Sequence, residues 1–238
     1  LGSANAKGRN PLLSMVENWI TKKLVKRFNG VIVKSESMAS VLECKDIRII
    51  SNGVDLKTFR PMSKQDCKKR LGLLEKTSYV IFAGDPARKV KNWKLANESV
   101  ELARNRVSGG LELLPLVSIP PDLVPVYMNA GELLLLTSFS EGSPNVVKES
   151  LACNTPVVSV DVGDVSDLLE DLDGCAIVPY SSDKIADVIA SVLNSGEHSV
   201  EGRNRLVEKS LELSSVAEEI VSYYEEIIRK TELKGMLK

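Results

Sequence analysis

Between residues 62 and 196 short, almost wholly apolar runs alternate with helical segments, and no other feature restricts the fold as much. The runs are SYVIFAG (78–84), LELLPL (111–116), ELLLLT (132–137), PVVSV (156–160) and CAIVP (175–179). A strand that is apolar at successive positions buries both of its faces, as in parallel sheets covered by helices on each side. The spacing predicts helices over 64–71, 93–104, 121–129, 144–153 and 165–169. Alternation of this kind implies right-handed crossovers and a doubly wound α/β domain. The chain then finishes in helices only, predicted over 182–193, 202–211 and 214–230.

Upstream, a helix is expected over 11–28, then the strand GVIVKS (30–35), a short helix over 36–43 and the strand IRII (47–50). These first 50 residues are too few to enclose a core of their own and read as the last piece of a preceding one. The stretch SNGVDLKTFRP (51–61) carries an Asn-Gly turn and a terminal proline, and is the candidate linker.

Composition narrows the function classes. An apolar fraction of 43% with 26% charged residues describes an ordinary globular protein, and a net charge of −1 gives no general pull toward nucleic acid. Cys44, Cys67, Cys153 and Cys175 show no paired metal spacing and His198 is the sole histidine, so no metal is expected. Scattered single cysteines fit a reducing, cytoplasmic compartment. Residues 1–34 hold Lys7, Arg9, Lys22, Lys23, Lys26, Arg27 and Lys34 against Glu17 alone, a local charge of +6. Leu12, Leu13, Val16, Ile20, Leu24 and Phe28 recur there at helical spacing. Such a helix either lies on an anionic membrane face or belongs to a domain with its charges solvated.

Open parallel sheets bind ligands beyond the carboxyl ends of their strands. The loop GDPARKVKN (84–92) clusters Arg88, Lys89 and Lys91 beside Gly84, where the backbone can approach a ligand closely. It is neither a Walker loop nor a GxGxxG fingerprint. Its cations suit a diphosphate, or simply a solvated surface. VSIPPD (117–122) offers mainly backbone groups. SFSEGSPNVVKES (138–150) starts a helix, with Ser143 suited to the cap and Pro144 to the first helical position. Amides there form an anion site. Glu141 precedes this helix start, and at ~1.5 Å rise per residue Glu149 lies ~7 Å along the axis from Pro144. Carboxylates on either side of an anion site can hold hydroxyls flanking a phosphate, which is the layout of a sugar nucleotide.

The run NAGELLLLTSFSEGSPNVVKESLACNTPVVSVDVGDVSDLL (129–169) resembles the signature region of the family-4-type retaining glycosyltransferases with the GT-B fold. Those enzymes carry Glu-x7-Glu within SxxEGxPnvxxEamAxGxPVV, and the linker resembles their NGVDxxxFxP. The similarity extends from about Lys22 to Tyr224. It implies two Rossmann-like domains facing a cleft: residues 1–50 as the remnant of an acceptor domain, 51–61 as linker, 62–212 as nucleotide-sugar donor domain, and 213–238 as a helix returning toward the first domain. By position, the resemblance gives Glu149 the ribose hydroxyls and Glu141 the transferred sugar, with the backbone of Gly142, Ser143, Pro144 and Asn145 meeting sugar and phosphate. Lys91 and Arg88 would neutralise the diphosphate without a metal, beside Gly84, and the backbone near Val117 and Ser118 would read the base. The acceptor would be a glycan or a lipid-linked sugar in cell-envelope polysaccharide or glycoconjugate synthesis.

The pattern departs from the family's GRLxxxKG, since Asp85 follows Gly84 and Asn92 follows Lys91; family glycines are replaced at Asn154 and Asp164. The last two changes remove no side chain that the chemistry needs. With most of one domain missing, the chain is expected to bind a nucleotide sugar weakly and to transfer nothing alone. A nucleotide-sugar epimerase and a non-catalytic docking module are the alternative readings.

Overall fold

The computed structural model describes residues 19–42, 46–82, 84–196 and 201–236. Residues 11–18 of the helix predicted over 11–28, together with Lys7, Arg9, Cys44 and His198, lie outside them. Helix α1 is described over 19–25. It leads to β1 (Val31–Val33), α2 (Glu36–Ala39) and β2 (Ile47–Ile49). The main body follows as α3 (Lys64–Leu71), β3 (Thr77–Phe82), α4 (Trp93–Arg104), β4 (Gly110–Pro115), α5 (Val124–Ala130), β5 (Leu133–Leu136), α6 (Asn145–Ala152), β6 (Val157–Val160), α7 (Val165–Leu169), β7 (Ala176–Val178), α8 (Ser182–Asn194), α9 (Gly202–Glu208) and α10 (Leu213–Met236).

Strands β3 to β7 form one parallel sheet in the order β4-β3-β5-β6-β7. The expected α/β class and parallel sheet are both found. The four leucines of β5 show why the run is apolar throughout. Leu134 and Leu136 enter a core with α6 and α7, while Leu133 and Leu135 enter the opposite core with α4 and α8. Side chains alternate across a strand, so a central strand buried on both sides needs apolar residues at every position.

One predicted helix starts three residues late. Pro121 does not begin α5, which opens at Val124 with a proline in its first turn.

The segment before the sheet is small. β1 and β2 pair in parallel, and Val25, Val33 and Leu42 make a cluster of their own. α10 returns to this piece: Val216, Ile220, Tyr223 and Ile227 pack on Ile32 and Ile50. The Tyr223 hydroxyl donates to the Asp46 carbonyl at 3.1 Å and accepts from the Val31 amide at 3.2 Å. Residues 51–61 are not loose. Val54 and Leu56 are buried in the α6–α7 core, and Arg203 of α9 donates to the Leu56 and Phe59 carbonyls, each at 2.8 Å.

Among the described residues no helix is long and apolar enough to cross a membrane.

Candidate functional site

The sheet order fixes where a ligand can sit. The chain leaves β3 for β4 on one side and crosses to β5 on the other, so the loops after β3 and β5 part over a crevice at the carboxyl ends. Those two loops are bonded together. The Phe139 amide donates to the Val90 carbonyl at 2.9 Å, and the buried Thr137 hydroxyl lies 3.0 Å and 3.1 Å from the Lys91 and Asn92 carbonyls. Lys89–Lys91 form a single tight 3-10 turn, ended by Asn92 at φ 53°.

This brings the Lys91 ammonium to 2.8 Å from Glu141, with the two side chains only 13% and 19% exposed. A charge-assisted bond in such a place contributes about 1.5–3 kcal/mol. Gly84 has φ +135°, and a Cβ there would come within 3.2 Å of the Lys91 stem. The glycine therefore leaves room for the lysine to cross the loop. Gly163, at φ +63°, lies under the same turn: a Cβ would stand 2.5 Å from the Gly142 carbonyl oxygen. Close backbone stacking here shapes the 141–142 segment.

Helix α6 begins one residue later than expected. Pro144 is the extended residue before the helix and Asn145 its first position. Ser143 does not cap the helix. Its hydroxyl donates to Asp164 at 2.6 Å and its oxygen accepts from the Lys148 ammonium, so the acceptor role that a cap would need is taken by a charged donor. Asn145 is exposed and its side chain accepts from Asn52 at 2.7 Å. Gly142 lies against the upstream piece, 3.3 Å from Met38 Sδ to an added Cβ.

Glu149 stands apart from the other carboxylates. Burial holds its pKa above the ordinary glutamate value, and its side chain has no hydrogen-bond or ion-pair partner among the described residues. A desolvated, unpaired carboxyl in a crevice is suited to bonding ligand hydroxyls. Two buried polar atoms close by also lack partners, Ser138 Oγ and Asp164 Oδ1.

Lys91, Glu141 and Gly84 are thus brought together, with Gly142, Ser143, Pro144, Asn145 and Glu149 in the adjoining loop and helix. Arg88 is exposed and forms no ion pair among the described residues. Val117 and Ser118 are exposed in the loop after β4, tied to β3 by the Leu116 amide on the Phe82 carbonyl at 3.1 Å. Among the described residues no three His, Cys, Asp or Glu side chains gather as metal ligands would. Burial raises the pKa of each described cysteine, Cys67 included, pushing the Cys153 thiol up to about 12 and Cys175 to about 11, which disfavours the reactive thiolate at these three.

Sequence reasoning missed Lys148, which is fully buried, and passed over Asp164, which carries Ser143. The available signal was a lysine between Val147 and Leu151 on the buried side of α6.

The sequence pattern of the Glycosyl transferases group 1 family matches residues 69–195, just over half of the chain. The chain belongs to that family. Among the similar proteins, TuaC of Bacillus subtilis strain 168, named as a putative teichuronic acid biosynthesis glycosyltransferase, is 29% identical over 171 residues, covering 66% of this chain and 44% of TuaC. A D-inositol 3-phosphate glycosyltransferase of Mycobacterium sp. strain KMS is 27% identical over 214 residues, covering 78% of this chain and 48% of that protein. The chain therefore spans about half the length of these relatives. Anabaena Alr3699/HepE in complex with UDP superimposes with a TM-score of 0.76 at 16% identity, covering 95% of this chain and 71% of that one. Sucrose-phosphate synthase of Thermosynechococcus elongatus gives a TM-score of 0.76 at 18% identity, covering 95% of this chain and 64% of that one. At such identities these two structures speak for the fold alone.

Proposed function

We propose that this chain is the donor-binding part of a glycosyltransferase that moves a sugar from a nucleotide sugar to a glycan or lipid-linked acceptor, with retention and without a metal. The acceptor belongs to cell-envelope polysaccharide or glycoconjugate synthesis, on the cytoplasmic side. The observation that carries this reading is the unpaired, desolvated Glu149 on α6, one loop away from the Lys91–Glu141 pair.

In this reading Glu149 accepts bonds from the ribose hydroxyls, and Glu141 contacts the transferred sugar. Lys91, with Arg88 from the exposed edge of its loop, neutralises the leaving diphosphate, a form of electrostatic stabilisation that can be large in a dry site. The Gly142–Asn145 backbone meets sugar and phosphate, Gly84 lets the phosphates approach, and the backbone at Val117 and Ser118 meets the base. The UDP and UDP-glucose complexes of Alr3699/HepE support a nucleotide-sugar ligand for this fold.

Calorimetric titration with UDP-, GDP- and ADP-sugars tests the reading. Wild type should bind one class, and Glu149→Ala should weaken it by about tenfold or more, the loss of a charge-assisted bond. Failure of every nucleotide sinks it and favours a docking module. That second reading has one observation on its side: exposed Trp19, Leu24 and Phe28 share helix α1 and its end with Lys22, Lys23, Lys26 and Arg27, a combination that suits an anionic membrane face.

A further inference from the structure

Lys148 has a fully buried side chain in the middle of α6. An ammonium removed from water must be surrounded by acceptors, and this one draws them from three separate segments. The Asn52 carbonyl of the linker lies at 2.8 Å, Ser143 Oγ at 2.5 Å, and Asp164 Oδ2, in the turn before α7, at 3.6 Å. The same Asp164 oxygen accepts from Ser143 at 2.6 Å and lies 3.1 Å from Ser51 Oγ. The Asn52 side chain reaches Asn145 at 2.7 Å. Every bond in this set joins the linker, the start of α6 or the turn before α7.

We propose that Lys148, together with Asp164, is a positioning residue that holds the Gly142–Asn145 segment against the linker at Ser51–Asn52 in the one arrangement that receives the anionic part of a ligand. This rests on the reading of the crevice as a nucleotide-sugar site and names what keeps it in shape. Asp164 supplies the geometry by gripping Ser143. Lys148 supplies the opposite charge, without which a carboxylate would stand behind Ser143 and repel a phosphate. An apolar side chain would fill the same slot beside Val147 and Leu151, but it would not join the three segments.

The test uses Lys148→Met and the charge-neutral double variant Lys148→Met/Asp164→Asn, both in the full chain. Hydrogen exchange without nucleotide is measured first. The double variant should exchange faster in residues 51–54 and 142–147 only, where the Val54 and Val147 amides have bonds to lose. Unchanged exchange there overturns the proposal, and so does faster exchange throughout the sheet, which would make Lys148 a plain core residue. Titration with UDP, GDP and ADP follows. The double variant should recover the melting temperature lost in Lys148→Met, yet bind at least about tenfold more weakly than wild type, a difference of about 1.4 kcal/mol. Wild-type affinity in the double variant overturns positioning. If wild type binds none of the three, the crevice reading fails, and the exchange pattern decides the role of Lys148 without it.

Discussion

The two ends of the sheet carry similar charges and treat them differently. At the amino end Lys68 is 5% exposed, and its ammonium meets the Thr77 carbonyl at 2.9 Å and Glu132 at 3.1 Å. Lys64 also bonds Glu132, so the carboxylate is held on both oxygens. A cavity of about 480 Å³ opens beside them, lined by Lys64, Asn129 and Glu132 among others. At the carboxyl end the Lys91–Glu141 pair is just as close, but Glu149, Ser138 Oγ and Asp164 Oδ1 around it lack partners. Buried and unsatisfied, Ser138 Oγ and Asp164 Oδ1 cost about 1–3 kcal/mol each, while Glu149 is half-buried and keeps its carboxylate free for a partner. Satisfaction, more than cavity volume or charge, separates the end that holds the sheet together from the end proposed to receive a ligand.

The largest effect should fall at the amino end. Lys68→Met removes two charge-assisted bonds, to the Thr77 carbonyl and to Glu132, at about 1.5–3 kcal/mol each. Urea unfolding should report that loss while nucleotide affinity stays at the wild-type value. A change in affinity would break the contrast between the ends.

Gly163→Ala should come next. It forces a side chain into a left-handed conformation and onto the Gly142 carbonyl, costing about 2 kcal/mol. Because the displaced segment is 141–142, affinity should fall with stability, unlike Lys68→Met.

A third variant uses pH. Burial raises the Glu149 pKa above its unfolded value of 4.5, so ionising it costs the folded state more than the unfolded one. That penalty appears as pH rises through 4.5 and is complete above the folded pKa. Glu149→Gln should therefore be more stable than wild type at pH 7, and equal to it below pH 4.5, as read by melting at both pH values. Nucleotide affinity should drop in the same variant. Equal stability at both pH values would mean that Glu149 is solvated, removing the asymmetry.

The smallest effect belongs to Asn154, at φ 55° just past α6. Asn154→Gly relieves the left-handed backbone but loses the bond from the Arg203 amide at 3.1 Å, so stability should move by no more than about 0.5 kcal/mol.

Much of this was legible in the residues. The apolar runs located all five strands of the main sheet, because complete burial leaves a plain compositional trace. Gly84, Lys91, Glu141 and Glu149 stood out from the loops that such a sheet must place at its carboxyl end. Ser143 was misread, since a serine before a proline looks like a cap until a buried ammonium takes its oxygen and an aspartate from another turn takes its proton. Lys148 was passed over because a lysine in a helix reads as a solvated face, and packing shows it fully buried between Val147 and Leu151.

By itself, then, the sequence determined the parallel α/β layering and the segments that form its crevice, since burial periodicity is a local property. The tertiary structure alone decided which charges meet. Lys91 and Glu141 pair across 50 positions because β5, not β4, follows β3 on that side, and hydrophobic periodicity does not encode strand order. The same holds for α10 against β1 and β2, and for the three segments gathered on Lys148, where long-range geometry selects partners that local pattern leaves open.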